Sequence, residues 1–244
     1  MSPSAPYLAA DELPLPTTIA EALVHKLGPL IVAGAAKPGE SLGDESELLQ
    51  RYGVSRSVLR DAFKILAGKG MIETRRGVGT QIRPRSDWMM LDRDVLAWHQ
   101  SAGDDQAYLP QLLQVRRAIE PLAASLAAQA EEAQRGQIME AYRGMEAAAT
   151  SQQDFVHADT LFHRELLHAS GNIYLMAMEG LVFSALAQQI KMINRTVKEN
   201  TNSLPLHLAV AEAVVAGKPE QAEKSMRTLL NDARERLDKA LAED

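Results

Sequence analysis

Apolar positions along this chain recur at spacings of three and four residues almost throughout, with one short interruption of alternating character. Ile19, Leu23, Leu27, Leu30 and Ile31 fall on one face of a helix that Thr17 or Thr18 caps and Lys37-Pro38-Gly39 ends. Two short amphipathic segments follow, Glu45–Tyr52 and Arg56–Gly68, joined by the tight Gly53-Val54-Ser55. Strands are predicted at roughly 71–75 and 80–83, on either side of Arg76-Gly77-Val78-Gly79. Past Arg83-Pro84-Arg85-Ser86 the strand pattern stops. Helices are predicted at roughly 92–101, 106–131, 134–151, 154–170, 173–198, 205–216 and 219–241. Their breaks fall at Gly103, Gly171-Asn172, Leu204-Pro205 and Gly217 to Pro219.

The expected fold is therefore mainly α. An N-terminal winged helix-turn-helix with a small two-stranded wing occupies about 17–84, behind a loose proline-rich arm at 1–16. A linker and linker helix follow at about 85–105, and an all-α helical bundle fills 106–244. The 244 residues are 46% hydrophobic and 24% charged, ordinary for a globular chain with room for two domains. Cysteine is absent, which excludes disulfides and thiolate metal sites. The N-terminal residues lack a basic and apolar leader pattern, and no run approaches the ~18 apolar residues of a membrane span. A cytoplasmic location without membrane partners is expected.

Charge sharpens the picture in one place. Residues 51–85 carry Arg51, Arg56, Arg60, Lys64, Lys69, Arg75, Arg76, Arg83 and Arg85 against only Asp61 and Glu73, on a chain whose net charge is −6. A basic island on an acidic chain confines the phosphate-facing surface to one module. Ser55 is placed to cap the second short helix, and Arg56 and Arg60 lie one turn apart at its start, the arrangement that enters a major groove. Arg56 and Arg60 are expected to reach base edges and Ser55 and Ser57 phosphate. Arg76 and Gly77 are expected at the backbone or minor groove.

These residues resemble the GntR family of bacterial transcription regulators. The likeness is carried by Pro38-Gly39, Glu45-Ser46-Glu47-Leu48, Gly53-Val54-Ser55-Arg56, Arg60-Asp61-Ala62, Leu66, Gly70-Met71-Ile72 and Arg76-Gly77-Val78-Gly79-Thr80. Gly43 departs from it, standing where the family usually has proline, and is expected to affect the turn alone. The C-terminal half is similar to the FCD effector domain of the FadR subfamily, through Val115-Arg116, Ile119-Glu120-Pro121, Asp159 with His163, Ser170-Gly171-Asn172, and His207 with Ala213, Gly217 and Ala222. A shorter likeness, from Asp87-Trp88 to Trp98, points to the sugar-acid regulators, especially the galactonate type.

Asp159 and His163 project from one face of a helix, and that pair suits a divalent metal such as zinc, nickel or manganese. His207 is the candidate third ligand. The resemblance implies a further histidine near the end of the last helix, but Met226-Arg227-Thr228-Leu229-Leu230 puts Leu229 there, so solvent or effector would complete the shell. The alternative is a hydrogen-bonded polar cluster without metal. Arg116, in an otherwise apolar helical pattern, needs a partner. It is either a clamp for an effector carboxylate, as the resemblance implies, or one half of an internal ion pair with Glu120.

The expected function is ligand-responsive transcription regulation: a homodimeric repressor released from a palindromic double-stranded DNA operator by a small carboxylate such as a sugar acid. Two other classes stand beside it. A metal-dependent enzyme would use the Asp/His site, although the sequence offers no nucleophile constellation or phosphate loop. A DNA-binding dimer with an inert helical domain would have little use for Arg116, Asp159, His163 and His207 in one bundle.

Overall fold

In the computed structural model, which describes residues 16–75, 77–102, 105–193 and 197–243, the chain forms two compact units, 1–104 and 105–244. The loose arm and Arg76 lie outside the described residues. In the first unit α1 (Ile19–Val32), α2 (Glu45–Tyr52) and α3 (Arg56–Gly68) precede strands β1 (Ile72–Arg75) and β2 (Gly79–Ile82), with α4 (Arg93–Ala102) last. Thr18 starts α1 with a capping box: its hydroxyl accepts from Glu21 N while the Glu21 carboxylate reaches back. Asp44 and Ser55 cap α2 and α3. β1 and β2 pair antiparallel with Ile72 opposite Ile82 and Thr74 opposite Thr80. This is the winged helix-turn-helix expected from the alternation and the short turn.

One apolar core holds the unit together. Leu23, Val24, Leu27 and Ile31 of α1 meet Leu59, Ala62 and Leu66 of α3, Ile72 and Ile82 of the wing, and Trp88, Val95 and Trp98 beyond it. The segment after the wing is docked by several bonds. Met89 N donates to the Lys69 carbonyl at 2.9 Å, and Trp88 Nε1 to the Arg83 carbonyl at 3.0 Å. Lys69 Nζ bonds Asp92 and Asp94, each at 2.7 Å, and Asp92 Oδ1 also accepts from the Asp94 and Val95 amides that open α4. Burial alone would lower the Lys69 pKa, but its two carboxylate partners outweigh it and hold the ammonium above its usual range. At Gly70, with φ 75°, a Cβ would stand 2.2 Å from the Asp87 carbonyl oxygen, so only glycine fits between the end of α3 and this segment.

The second unit is all helix: α5 (Asp105–Ala127), α6 (Glu132–Ala148), α7 (Gln152–Ala169), α8 (Ile173–Met176), α9 (Glu179–Ile193), α10 (Val197–Val215) and α11 (Pro219–Glu243). Its main core joins Ala124 and Ala127 of α5 to Ile138 and Met145 of α6, Phe155 and Phe162 of α7, Val210 and Val214 of α10, and Met226 and Leu230 of α11. Small residues at the contacts let the helices approach closely. Two expectations change here. The helix predicted over 173–198 is broken after Met176, leaving α8 as a single turn before α9. The break predicted at Leu204-Pro205 is absent, because α10 runs through Pro205. Proline's fixed φ suits a helix and costs it chiefly one backbone bond, and burial of Val210, Ala211, Ala213 and Val214 one to three turns later offsets that loss.

Gly28 of α1 faces the Trp98 indole so closely that a Cβ would lie 2.5 Å from three ring carbons. Gly28→Ala should therefore destabilise the chain by about 1–3 kcal/mol through overpacking, a larger effect than the ~1 kcal/mol that alanine gains over glycine in a helix. In a Trp98→Leu background the same change should become neutral or stabilising. Urea unfolding of the four chains checks the reversal of sign.

Candidate functional site

The polar heart of the bundle is assembled from four helices. Arg116 and Glu120 come from α5, Asp159 and His163 from α7, Gln189 from α9, and Ser203 and His207 from α10; all are buried. Arg116 Nε donates to Glu120 Oε1, Nη2 donates to Glu120 Oε2 at 3.3 Å, and Nη1 donates to Gln189 Oε1 at 2.9 Å. Of the two partners open to Arg116 in the sequence, this structure holds Glu120. Burial pushes the Glu120 carboxyl up, but the Arg116 guanidinium and the His163 ring prevail and hold it at about 2.

Glu120 Oε2 lies 2.6 Å from His163 Nδ1. His207 Nδ1 lies 2.9 Å from the Ser203 carbonyl, which can only accept, so that nitrogen carries the proton. His163 Nε2 lies 3.5 Å from Asp159 Oδ1 and 3.4 Å from Arg116 Nη2, and His207 Nε2 lies 2.9 Å from the same Asp159 oxygen. Phe162, fully buried, sets its ring edge-on to both imidazoles and fixes their planes. Burial would raise the Asp159 pKa, yet the two imidazoles hold it far below the carboxylate range. His163 is lifted above its ordinary value, with Glu120 and Asp159 overcoming the effect of burial.

Asp159 Oδ1 and His207 Nε2 are buried atoms without a hydrogen-bond partner. A lone pair and a carboxylate oxygen 2.9 Å apart repel unless a cation lies between them, either a proton or a metal. The donor set suits a metal. Ligand atoms of Asp159, His163 and His207 all lie within 4.8 Å of one another. Ligands about 2.1 Å from a shared ion are about 3.0 Å apart at a right angle and about 3.4 Å apart at a tetrahedral angle, close to the two separations to Asp159 found here. An acceptor beside the other ring nitrogen, as the Ser203 carbonyl is beside His207 Nδ1, is what metal-binding histidines ordinarily have. Leu186 and Ile190 of α9 and Leu229, Leu230, Ala233 and Arg236 of α11 line the same cavity, so Leu229 does face the site while offering it no ligand atom.

The other sequence-selected residues lie on the first unit. Arg56 and Arg60 line one concave surface with Ser41, Lys64, Thr74 and Thr80. The Arg56 side chain is 81% exposed, and its ion pair with the likewise exposed Glu45, at 3.7 Å, holds it only weakly. Ser55 Oγ accepts from Val58 N at 3.4 Å and bonds Ser57 Oγ at 2.9 Å, which makes Ser55 first a helix cap. Gly77 sits at the exposed wing tip with φ 81°. Gly43 has φ 127°, which a proline ring cannot adopt, and it lines the same surface as the arginines. Sequence reasoning missed Gln189, Ser203 and Arg236. Ser203 carried a usable signal, four residues before His207, and Arg236 another, seven after Leu229 on the same helical face.

An exposed basic recognition helix with a wing, joined in one chain to a bundle enclosing a polar cavity, defines a ligand-responsive DNA-binding regulator. Residues 19–82 match the family described as bacterial regulatory proteins of the gntR family, and residues 111–232 match the FCD domain. The chain belongs to the GntR family of transcription regulators and carries an FCD domain. It is 30% identical over 220 residues to the galactonate operon transcriptional repressor of Escherichia coli, covering 88% of this chain and 95% of that protein. It is 28% identical to the uncharacterized regulator YieP of the same organism, covering 91% and 97%. A solved structure of Lar, which controls expression of the agr system in Listeria monocytogenes, aligns with a TM-score of 0.64 at 20% identity, over 92% of this chain and 99% of that one. Among the described residues no helix is long and apolar enough to cross a membrane.

Removing one partner of a buried ion pair strands the other. Arg116→Ala should cost about 3–5 kcal/mol of stability, whereas the paired change Arg116→Met with Glu120→Leu should cost markedly less. Chemical denaturation of the two proteins measures the difference.

Proposed function

We propose that this chain is a repressor of the FadR subfamily that binds a palindromic operator as a homodimer and is released by a small hydroxylated monocarboxylate of the sugar-acid type. The observation that carries the reading is the pair of facing, unpartnered atoms Asp159 Oδ1 and His207 Nε2 in a buried cavity. Asp159, His163 and His207 would hold a zinc, nickel or manganese ion there, which when bound supplies Lewis acidity and open coordination positions.

Charge counting favours a monocarboxylate. A divalent ion together with Arg116, Glu120 and Asp159 would carry one net positive charge, which one carboxylate neutralises. An α-hydroxy acid chelates through carboxylate and hydroxyl, filling positions that Leu229 leaves empty. Likeness to a galactonate operon repressor supports the same ligand class. Arg116, its fork held by Glu120, contributes charge to this pocket and fixes Glu120 against His163.

At the other end of the chain, Arg56 and Arg60 read base edges, Ser55 and Ser57 contact phosphate, and Arg76 with Gly77 reach the backbone or minor groove. The effector acts by population shift, binding the released form more tightly than the operator-bound one. Two symmetric half-sites require two copies of the recognition helix.

Arg56→Ala and Arg60→Ala should each weaken operator binding by about 1–3 kcal/mol with no loss of thermal stability. Fluorescence anisotropy on a mapped operator measures this, and unchanged affinity in both variants would refute the assignment. Tag-free protein should contain a transition metal by elemental analysis, and His163→Ala or His207→Ala should abolish it. Metal-free protein that still releases DNA with an α-hydroxy acid would mean that the cluster works through hydrogen bonds alone.

A further inference from the structure

The three residues that would hold an ion in this cavity are not equally ready for it. Asp159 Oδ1 and His207 Nε2 have no hydrogen-bond partner among the described residues. His163 Nε2 does have one: Arg116 Nη2 lies 3.4 Å away. A guanidinium has N–H groups to donate and nothing to accept with, so this contact falls on the lone pair of a neutral imidazole. A metal-bound histidine gives that same lone pair to the ion. One lone pair cannot serve both, and a ring protonated at Nε2 would have none to give.

Arg116 is also poorly placed to step aside. Its side chain is 1% exposed. Glu120 on the same helix holds Nε and Nη2, and Gln189 on α9 holds Nη1 at 2.9 Å. The guanidinium charge persists at every accessible pH, and at this depth salt screens it little. Glu120 balances that charge overall, but its Oε2 stands 2.6 Å from the other ring nitrogen, Nδ1. The member of the pair that adjoins the ligand nitrogen is therefore the cation. An arrangement serving only to hold a divalent ion has no use for a positive side chain there.

We propose that Arg116 is a brake on the metal site. It occupies His163 Nε2 and sets a fixed positive charge against the three ligands, so the protein by itself holds a divalent ion weakly. An anion that draws the guanidinium off the ring would relieve both effects at once, which makes metal loading responsive to the charge of whatever shares the cavity. This rests on the metal reading of Asp159, His163 and His207. It is a separate effect from Leu229, which merely withholds a donor atom.

The test is the zinc affinity of tag-free full-length protein, measured by chelator competition with no acid added. Arg116→Gln removes the charge and should tighten zinc binding roughly tenfold or more, the scale on which groups around a metal's ligands act. Adding His207→Ala to that variant should abolish the gain, because the cluster then lacks a ligand. Arg116→Met with Glu120→Gln leaves no buried charge unpaired and keeps an oxygen beside His163 Nδ1. It should also bind zinc more tightly than wild type, and it is the deciding variant if Arg116→Gln does not fold. Zinc affinity equal to or below wild type in the deciding variant would overturn the brake and leave the metal reading standing. A gain that survives His207→Ala would place the zinc elsewhere and overturn it too. If neither wild type nor the variants bind zinc, the metal reading fails, and this inference with it.

Discussion

The buried pairing of Arg116 with Glu120 sets the electrostatics of the bundle's interior. A carboxylate taken fully out of water would ordinarily take up a proton. With the guanidinium one helical turn away, Glu120 stays charged instead. Its second oxygen then has His163 Nδ1 at 2.6 Å, which turns Nε2 of that ring toward Asp159. The Ser203 carbonyl does the same for His207. The outcome is a carboxylate oxygen and two imidazole nitrogens that lie within 4.8 Å of one another. Replacing Glu120 by an apolar residue would remove the pair and also the orientation of the ring beside it.

Different physics governs the first unit. Its apolar core is ordinary, but its surface carries weakly held charge, as at Arg56, where little intramolecular energy would be lost on contact with DNA. Inward-facing polar groups do structural work. Lys69 bridges Asp92 and Asp94, and the glycines at 28 and 70 admit Trp98 and the Asp87 carbonyl. These contacts bind the segment after the wing, including α4, into the same core as α1 and α3. Within this unit α4 is therefore a packed element, held by its own cap and by an aromatic side chain.

Local chemistry made much of this legible from sequence. Thr18 and Ser55 cap the helices they announce, Gly53 turns between α2 and α3, and alternation locates the wing. Four-residue spacing was enough to put Arg116 beside Glu120 and Asp159 beside His163. Two kinds of feature were hidden. Pro205 reads as a helix break because the local rule is strong, yet burial of the following turns overrides it. Residues brought together from distant helices, as Gln189 is against Arg116, have no spacing to betray them. Which partner Arg116 would choose was also undecidable, since Glu120 and a ligand offer the same chemistry.

Leu229 gives the proposed site a thermodynamic character of its own. A metal held by three protein ligands is bound less firmly than one held by four, and the apolar face of α11 supplies no substitute. If a chelating acid fills the open positions, the metal must raise the acid's affinity by the same factor by which the acid raises the metal's, since the two bindings are linked. A fourth histidine would strengthen the metal alone and shrink that factor. With leucine there, metal and effector would behave nearly as one ligand, each held weakly when the other is scarce.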